Sequence, residues 1–201
     1  DSCETCVDYS RRALVAPNHT MTHVLNFALR KVLITDGGEK AAGLSIDQKG
    51  SLVDEDKLRF DFSWSGPLTT AQVKAVEEAV VSFIDRGVQV YAEVVPLAKA
   101  QEISSLRAVF GERYPDPVRV LSVGADVQQL LEDPKNEEKW GNMSIEFCGG
   151  THLTNCAEAE DCVVVEETGI AKGIRRIVGL TKHKAKIARA QGSDILAELS
   201  T

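Results

Sequence analysis

No run of apolar residues in this chain approaches the ~20 needed to cross a bilayer as a helix. The opening Asp1-Ser2-Cys3-Glu4-Thr5 also lacks the basic-then-apolar order of a secretion signal. A membrane span is not expected, and the chain reads as a soluble protein of the cytoplasm. It has no initiator methionine, which predicts that residues 1–201 are a piece of a longer protein. Basic charge is short: 23 Lys and Arg against 30 Asp and Glu give a net charge of −7, which argues against nucleic-acid binding through a broad basic surface. A local patch stays open at Lys172-Gly173-Ile174-Arg175-Arg176. Lys182, Lys184, Lys186 and Arg189 follow it, most simply as the solvated face of a terminal helix. Cysteines number five, and an odd set without a secretory leader does not suggest a disulfide framework. Cys3-x-x-Cys6 has no second pair at a matching spacing and reads as part of a flexible end. Cys156 and Cys162 read as plain thiols, Cys162 at the buried start of a strand.

Histidine is scarcer still, at four residues, yet three of them fall into two spaced pairs: His19-Thr20-Met21-Thr22-His23 and Cys148-Gly149-Gly150-Thr151-His152. If the first pair is helical, its spacing puts both imidazoles on one face a turn apart. Gly149-Gly150 allows the tight non-helical turn through which Cys148 and His152 could face one centre. Together they offer four ligands suited to zinc. Either pair alone would more simply be a packing or capping feature. A zinc protease of the H-E-x-x-H kind is set aside because the position of its general base is occupied by Thr20.

Hydrophobic residues at 43% suffice for a real core, in one ordinary domain or two very small ones. Met21, Val24, Leu25, Ala28, Leu29 and Val32 recur at helical spacing, which predicts a helix with Asn18 as N-cap and His19 and His23 in its first two turns. The glycine-bearing stretch 36–47 reads as a long loop. Gln48 to Val53 and Leu58 to Ser63 read as a hairpin around Asp54-Glu55-Asp56, the second arm alternating Leu58, Phe60 and Phe62 with polar residues. A second helix is predicted over about 69–85, with the stripe Val73, Val76, Val80 and Ile84 and a stop at Gly87. Strands are predicted at 88–95, 118–123, 144–147, 162–167 and 174–181, then a helix over about 183–199. Without regular βαβ alternation, repeats or a linker, the expected class is α+β: an antiparallel sheet with packed helices.

Taken in order, several segments resemble the editing domain of alanyl-tRNA synthetases over nearly the whole chain. They are Asn18-His19-Thr20-Met21-Thr22-His23-Val24-Leu25-Asn26-Phe27-Ala28-Leu29-Arg30, Gln48-Lys49-Gly50-Ser51-Leu52-Val53, Leu58-Arg59-Phe60-Asp61-Phe62, Glu146-Phe147-Cys148-Gly149-Gly150-Thr151-His152 and Gly173-Ile174-Arg175-Arg176-Ile177-Val178. The wording is most similar to the eukaryotic cytosolic enzymes, and freestanding alanyl-tRNA editing proteins share the core. Met21 stands where many relatives have a smaller residue, and the stretch 34–47 looks longer than theirs.

The resemblance implies a threonyl/alanyl-tRNA synthetase editing-domain fold and a hydrolase that removes serine or glycine from the acceptor end of tRNA for alanine. A pocket built for alanine rejects an analogue with one extra hydroxyl by only about a hundredfold, so a second site must clear the error. It implies that His19, His23, Cys148 and His152 hold zinc, that Thr22 senses the substrate and that Gln48 orients water or the seryl hydroxyl. By their residues alone, Thr22 reads equally as a threonine bonded back to its own helical turn, and Gln48 as an exposed strand residue. Gly149 and Gly150 would offer backbone N–H groups to the ester. Lys172, Arg175 and Arg176 would contact acceptor-end phosphates, although strand alternation sends the two arginines to opposite faces. Four protein ligands usually close a structural zinc site, whereas catalytic zinc keeps a position open; the favoured role is an organiser that positions substrate. Other domains of the parent synthetase are expected partners. Two alternatives remain: a threonyl-type editing domain, and a zinc-stabilised acceptor-stem module without catalysis.

Overall fold

The structure, a computed structural model, describes residues 3–35, 45–109 and 111–199. It is an α+β fold with two antiparallel sheets. Helix α1 (Tyr9–Arg30) ends in a π-helical turn at Lys31–Thr35. Strands β1 (Gln48–Val53) and β2 (Leu58–Ser63), helix α2 (Thr70–Asp85) and strand β3 (Val90–Val95) follow. Then come α3 (Leu97–Ala100), β4 (Val118–Val123), α4 (Val127–Glu132), α5 (Glu137–Trp140) and β5 (Ser144–Phe147). A 3₁₀ turn at Cys156–Ala159, β6 (Cys162–Ala171), β7 (Ile174–Thr181) and α6 (Lys182–Leu199) complete the chain. The larger sheet has the order β1-β2-β7-β6 and the smaller one β3-β4-β5. No described helix is long and apolar enough to cross a membrane.

The hairpin, α2 and the strands at 118–123, 144–147 and 174–181 stand where the apolar patterns place them. Thr69 caps α2, accepting from the Gln72 N–H while Gln72 Oε1 accepts from the Thr69 N–H, and Gly87 takes φ +57° just beyond its end. β6 runs four residues past its expected end at Glu167, because β7 continues to pair with it up to Ala171↔Ile174. The expected single sheet is two, and α3, α4 and α5 are further short helices. Most of the loop predicted over 36–47 lies outside the described residues.

The start of the first helix needs correction. Asn18 is not its N-cap: α1 begins nine residues earlier, where the Asp8 side chain accepts from the Arg11 N–H at 3.0 Å, and Pro17 lies inside the helix. His19 and His23 therefore sit mid-helix, on rigid backbone. Asn18 instead ties α1 to the sheet, its Nδ2 donating to the Asp54 carbonyl at 2.9 Å and its Oδ1 accepting from Thr181 Oγ1 at 2.7 Å.

Two cores result. Leu25, Ala28 and Leu29 of α1 pack with Val76 and Val80 of α2 on the face of the larger sheet that carries Leu58, Phe60, Phe62 and Ile177. The second core gathers Val118, Val120 and Ile145 with Leu130 and Trp140 on one face of the smaller sheet. Alternation along β4 and β5 turns the other face, with Val123, Ser144 and Glu146, towards α1; Ser144 Oγ donates to the His23 carbonyl at 3.1 Å. The smaller sheet is thus a wall between its own core and α1, and Cys148 follows directly from its last strand.

Candidate metal centre

α1 contributes His19 and His23, and the turn after β5 contributes Cys148 and His152. One ligand atom from each lies within 4.8 Å of all the others. Cys148 Sγ is 3.2 Å from His152 Nε2 and 3.5 Å from His19 Nε2. A tetrahedral zinc with bonds of about 2.0 Å to nitrogen and 2.3 Å to sulfur sets S···N separations near 3.5 Å, so the cluster has the dimensions of such a site. His23 Nε2 is buried with no hydrogen-bond partner among the described residues, an orphan that a cation would satisfy.

The outward nitrogens are occupied, which fixes how the rings are turned. His23 Nδ1 lies 2.7 Å from Glu146 Oε2, His152 Nδ1 lies 3.3 Å from Thr20 Oγ1, and His19 Nδ1 lies 3.3 Å from the Thr151 carbonyl. All three Nε2 atoms are left for the centre. Glu146 Oε1 accepts from Asn26 Nδ2 at 2.7 Å, and Thr20 Oγ1 accepts from the Leu153 N–H at 3.0 Å. Arg119 Nη1 donates to the carbonyls of Cys148 at 2.9 Å and Gly150 at 2.6 Å, bracing the turn. A Cβ on Gly150 would stand 2.2 Å from His19 Cε1, so the turn packs against the imidazole only because this residue is glycine; Gly149 has nothing within 4 Å of the same position.

The electrostatics favour a cation. Burial opposes ionisation of the Cys148 thiol, but hydrogen bonds with His152 and His19, and His23 beside them, bring its pKa down to about 3. Burial, with His19 and His23 close by, lowers that of His152 to about 4, leaving a neutral ring with a lone pair. Burial also works against charge on His23, yet the Glu146 carboxylate and Cys148 raise its pKa to about 10. The Cys148 thiolate and the neutral His152 ring are the protonation states that metal binding requires, whereas the proton that Glu146 and Cys148 favour on His23 would have to leave as an ion entered.

A cleft of about 420 Å³ opens on the centre, and His19, His23, Cys148, Gly149, Thr22, Gln48 and Tyr114 are among its lining residues. Six of the expected site residues, the four ligands with Thr22 and Gln48, therefore converge with Gly149 and Gly150. The Thr22 hydroxyl donates to the Asn18 carbonyl at 2.7 Å, as a helical threonine bonding to its own turn does, and its lone pairs remain available. Lys172, Arg175 and Arg176 lie elsewhere and line none of this cleft. Arg175 is bound to both carboxylate oxygens of Glu167 at 2.5 and 2.6 Å, and Arg176 to those of Asp61 at 2.7 and 2.8 Å. Lys172 is exposed at the β6–β7 turn. On α6, Lys184 pairs with Asp56, Lys186 with Glu160, and Arg189 with Asp161 and Glu77. Cys3 and Cys6 are exposed and free; Cys156 and Cys162 are free and buried.

Glu146, Thr20, Asn26 and Arg119 were not singled out from their chemistry. Glu146 carries a signal in retrospect: a carboxylate inside the apolar strand Ile145-Glu146-Phe147, two residues before a cysteine ligand. Thr20 and Asn26 are likewise polar where the helix is buried.

The threonyl and alanyl tRNA synthetase second additional domain matches residues 118–178, the stretch that contains β4, β5, the Cys148 turn and most of the larger sheet's second half. The alanine–tRNA ligase of Candida albicans is 52% identical over 178 residues, 89% of this chain. The cytoplasmic alanine–tRNA ligases of Dictyostelium discoideum and Caenorhabditis elegans are 46% and 48% identical over 94% and 96% of it. The chain is a relative of one segment of the alanine–tRNA ligases. It spans 17% of the length of the first of these ligases and 19% of the other two. The α+β fold with two antiparallel sheets agrees with that of the second additional domain, and at 94% and 96% coverage both histidines of α1 and the Cys148 turn fall in the part shared with the latter two ligases.

Proposed function

We propose that this chain is the editing domain of an alanyl-tRNA synthetase, residues 1–201 forming one aminoacyl-tRNA deacylase domain of a longer enzyme. It would hydrolyse the ester that joins serine or glycine to the 3′ end of tRNA for alanine. The observation that carries this is the convergence of His19, His23, Cys148 and His152 beside a cleft lined by Thr22 and Gln48, in a chain related to alanine–tRNA ligases. The four residues fit zinc, which when bound would order the pocket and polarise an ester carbonyl within reach. The protein's own groups do the rest. The Gln48 side-chain amide orients a water, and the Thr22 hydroxyl reads the seryl side chain. The N–H groups of Gly149 and Gly150, which donate to nothing among the described residues, face charge developing on the carbonyl oxygen. Water oxygen bonds to the carbonyl carbon, the bond to the ribose oxygen breaks, and a proton passes to that oxygen, releasing tRNA and the free amino acid.

Lys172, Arg175 and Arg176 are proposed contacts to the acceptor end, with Lys172 the one of the three that has no carboxylate partner among the described residues. The other domains of the parent synthetase would supply most of the tRNA affinity, in the cytoplasm, as the names of two relatives suggest for those proteins. The test is deacylation of seryl-tRNA by the purified chain, with zinc content measured alongside. Rapid release of serine with about one zinc per chain supports the reading, and Cys148→Ala is expected to lose both. Binding of tRNA with no release would turn the reading to an acceptor-stem module, and activity on seryl-tRNA for threonine in preference to that for alanine would turn it to the threonyl type.

A further inference from the structure

The cleft at the metal centre adjoins a larger cavity of about 890 Å³, and the two share Gln48, Val109, Glu112, Tyr114, Glu146 and Phe147 along their border. Two arginines line the larger cavity, Arg30 from the last turn of α1 and Arg107 from the segment between α3 and β4. Arg30 stands seven residues past His23, two turns further along the face that also carries Asn26. Its Nε donates weakly to the Asn26 carbonyl at 3.4 Å, and neither of its Nη groups has a partner among the described residues. Arg107 is held by its backbone, where its N–H donates to the Ile145 carbonyl at 2.8 Å. Its side chain is exposed and forms no ion pair among the described residues.

Asp47, Glu112 and Glu146 line the same cavity, but none is paired with either guanidinium. Both Glu146 oxygens are taken, by His23 Nδ1 and Asn26 Nδ2. Asp47 is engaged with Ser45 and Lys49, and Glu112 is exposed at the rim. Neither guanidinium is ion-paired among the described residues, and burial, then Arg107, lowers the Arg30 pKa to about 10 against the opposing pull of Glu146. Such an arrangement is relieved by a bound anion. The planar fork of arginine matches the paired oxygens of a phosphate as it does those of a carboxylate, and phosphates are the anions that a nucleic acid strand supplies.

We propose that Arg30 and Arg107 form an anion subsite that takes a phosphodiester of the substrate's 3′-terminal strand while the ester lies at the metal centre. The identity of the strand rests on the editing reading; the anion site rests on the two arginines. Because the subsite touches the strand and not the amino acid, it sets how firmly every charged tRNA is held and leaves discrimination to Thr22 and Gln48.

The test uses the intact chain and a short single-stranded RNA copy of the tRNA 3′ end, with either natural phosphodiesters or neutral methylphosphonates at its last linkages. The unaltered protein is expected to bind the charged probe roughly tenfold more tightly. Arg30→Gln/Arg107→Gln should lose most of the preference for the charged probe, with the slope of log affinity against log salt reduced by about 0.7, the share of one single-strand phosphate. Arg30→Lys/Arg107→Lys should keep part of the preference. Indifference of the unaltered protein to neutralised linkages overturns the proposal, and that comparison needs no variant to fold. Competition by inorganic phosphate, with no preference between the two probes, would make this a free-anion site and also overturn the assignment to the strand. Seryl-tRNA hydrolysis, measured in parallel, separates the two ideas: its absence with the probe preference intact sinks the editing reading alone.

Discussion

Glu146 bridges His23 and Asn26, its two oxygens lying 2.7 Å from His23 Nδ1 and from Asn26 Nδ2 respectively. All three groups are buried, so the carboxylate both fixes the direction of the His23 ring and takes up the Asn26 Nδ2 donor. Glu146→Gln keeps the shape but adds an NH₂ that must face either the Asn26 amide or the imidazole N–H. Zinc affinity is expected to fall about 10- to 100-fold, measured by competition with a chelator. Unchanged affinity would show that the ring is oriented by packing alone.

Gly150 and Gly149 should respond differently to the same change. Gly150→Ala drives a methyl group to within 2.2 Å of His19 Cε1, so either the turn or the imidazole must move. Metal binding is expected to weaken by at least tenfold, about 1.4 kcal/mol or more. Gly149→Ala meets nothing within 4 Å and should retain metal. If the ester uses its N–H, that function also survives, since the backbone amide is unchanged. Equal metal loss in both variants would mean that the turn needs conformational freedom and not space.

Thr22 and Gln48 line the cleft without touching the ligand atoms, so their loss should alter chemistry before stability. Thr22→Val removes the hydroxyl at nearly constant volume, and Gln48→Ala removes the amide. Seryl-tRNA deacylation, or its selectivity over alanyl-tRNA, is expected to change by about tenfold or more, as when a hydrogen bond to a substrate is lost. Zinc content and melting temperature should stay close to the parent. Unaltered kinetics in both would leave Thr22 as a helix-bonding threonine and Gln48 as a strand residue.

The strand at 58–63 was legible because a period-two pattern of apolar residues decides it locally, and those at 118–123, 144–147 and 174–181 because they are short apolar-rich runs. The start of α1 was not. Pro17 normally marks a boundary, and the preceding turns bury too little for an apolar stripe, so Asn18 looked like a cap; the cap that operates is Asp8. The metal ligands were legible from spacing because a helix and a glycine turn each impose short-range geometry. Glu146, Thr20 and Arg119 became visible only when β5, α1 and β4 were packed together. The Arg175 and Arg176 ion pairs depend on register across β2, β6 and β7, which spacing does not specify.

Burial raises the pKa of Cys156 and of Cys162 to about 12. Both stand above the unfolded value of about 8.5, so their contribution to stability is complete below that pH and declines as pH rises towards 12. Urea unfolding should show a loss on the order of 1–2 kcal/mol per thiol between pH 8 and 10, diminished in Cys156→Ala and Cys162→Ala. Under native conditions at pH 8, alkylation should reach the exposed Cys3 and Cys6 and spare the two buried thiols. A flat stability profile over this range would show that other groups offset the thiols.

The four ligands come from two bodies of packing: His19 and His23 ride on α1, which belongs to the core of the larger sheet, whereas Cys148 hangs from the end of the strand whose Ile145 belongs to the other. An ion held by all four would work as a rivet between halves that otherwise meet mainly through the face of the smaller sheet. Occupancy would then govern cooperativity: one sharp melting transition for the loaded protein, and two separable transitions once the ion is stripped.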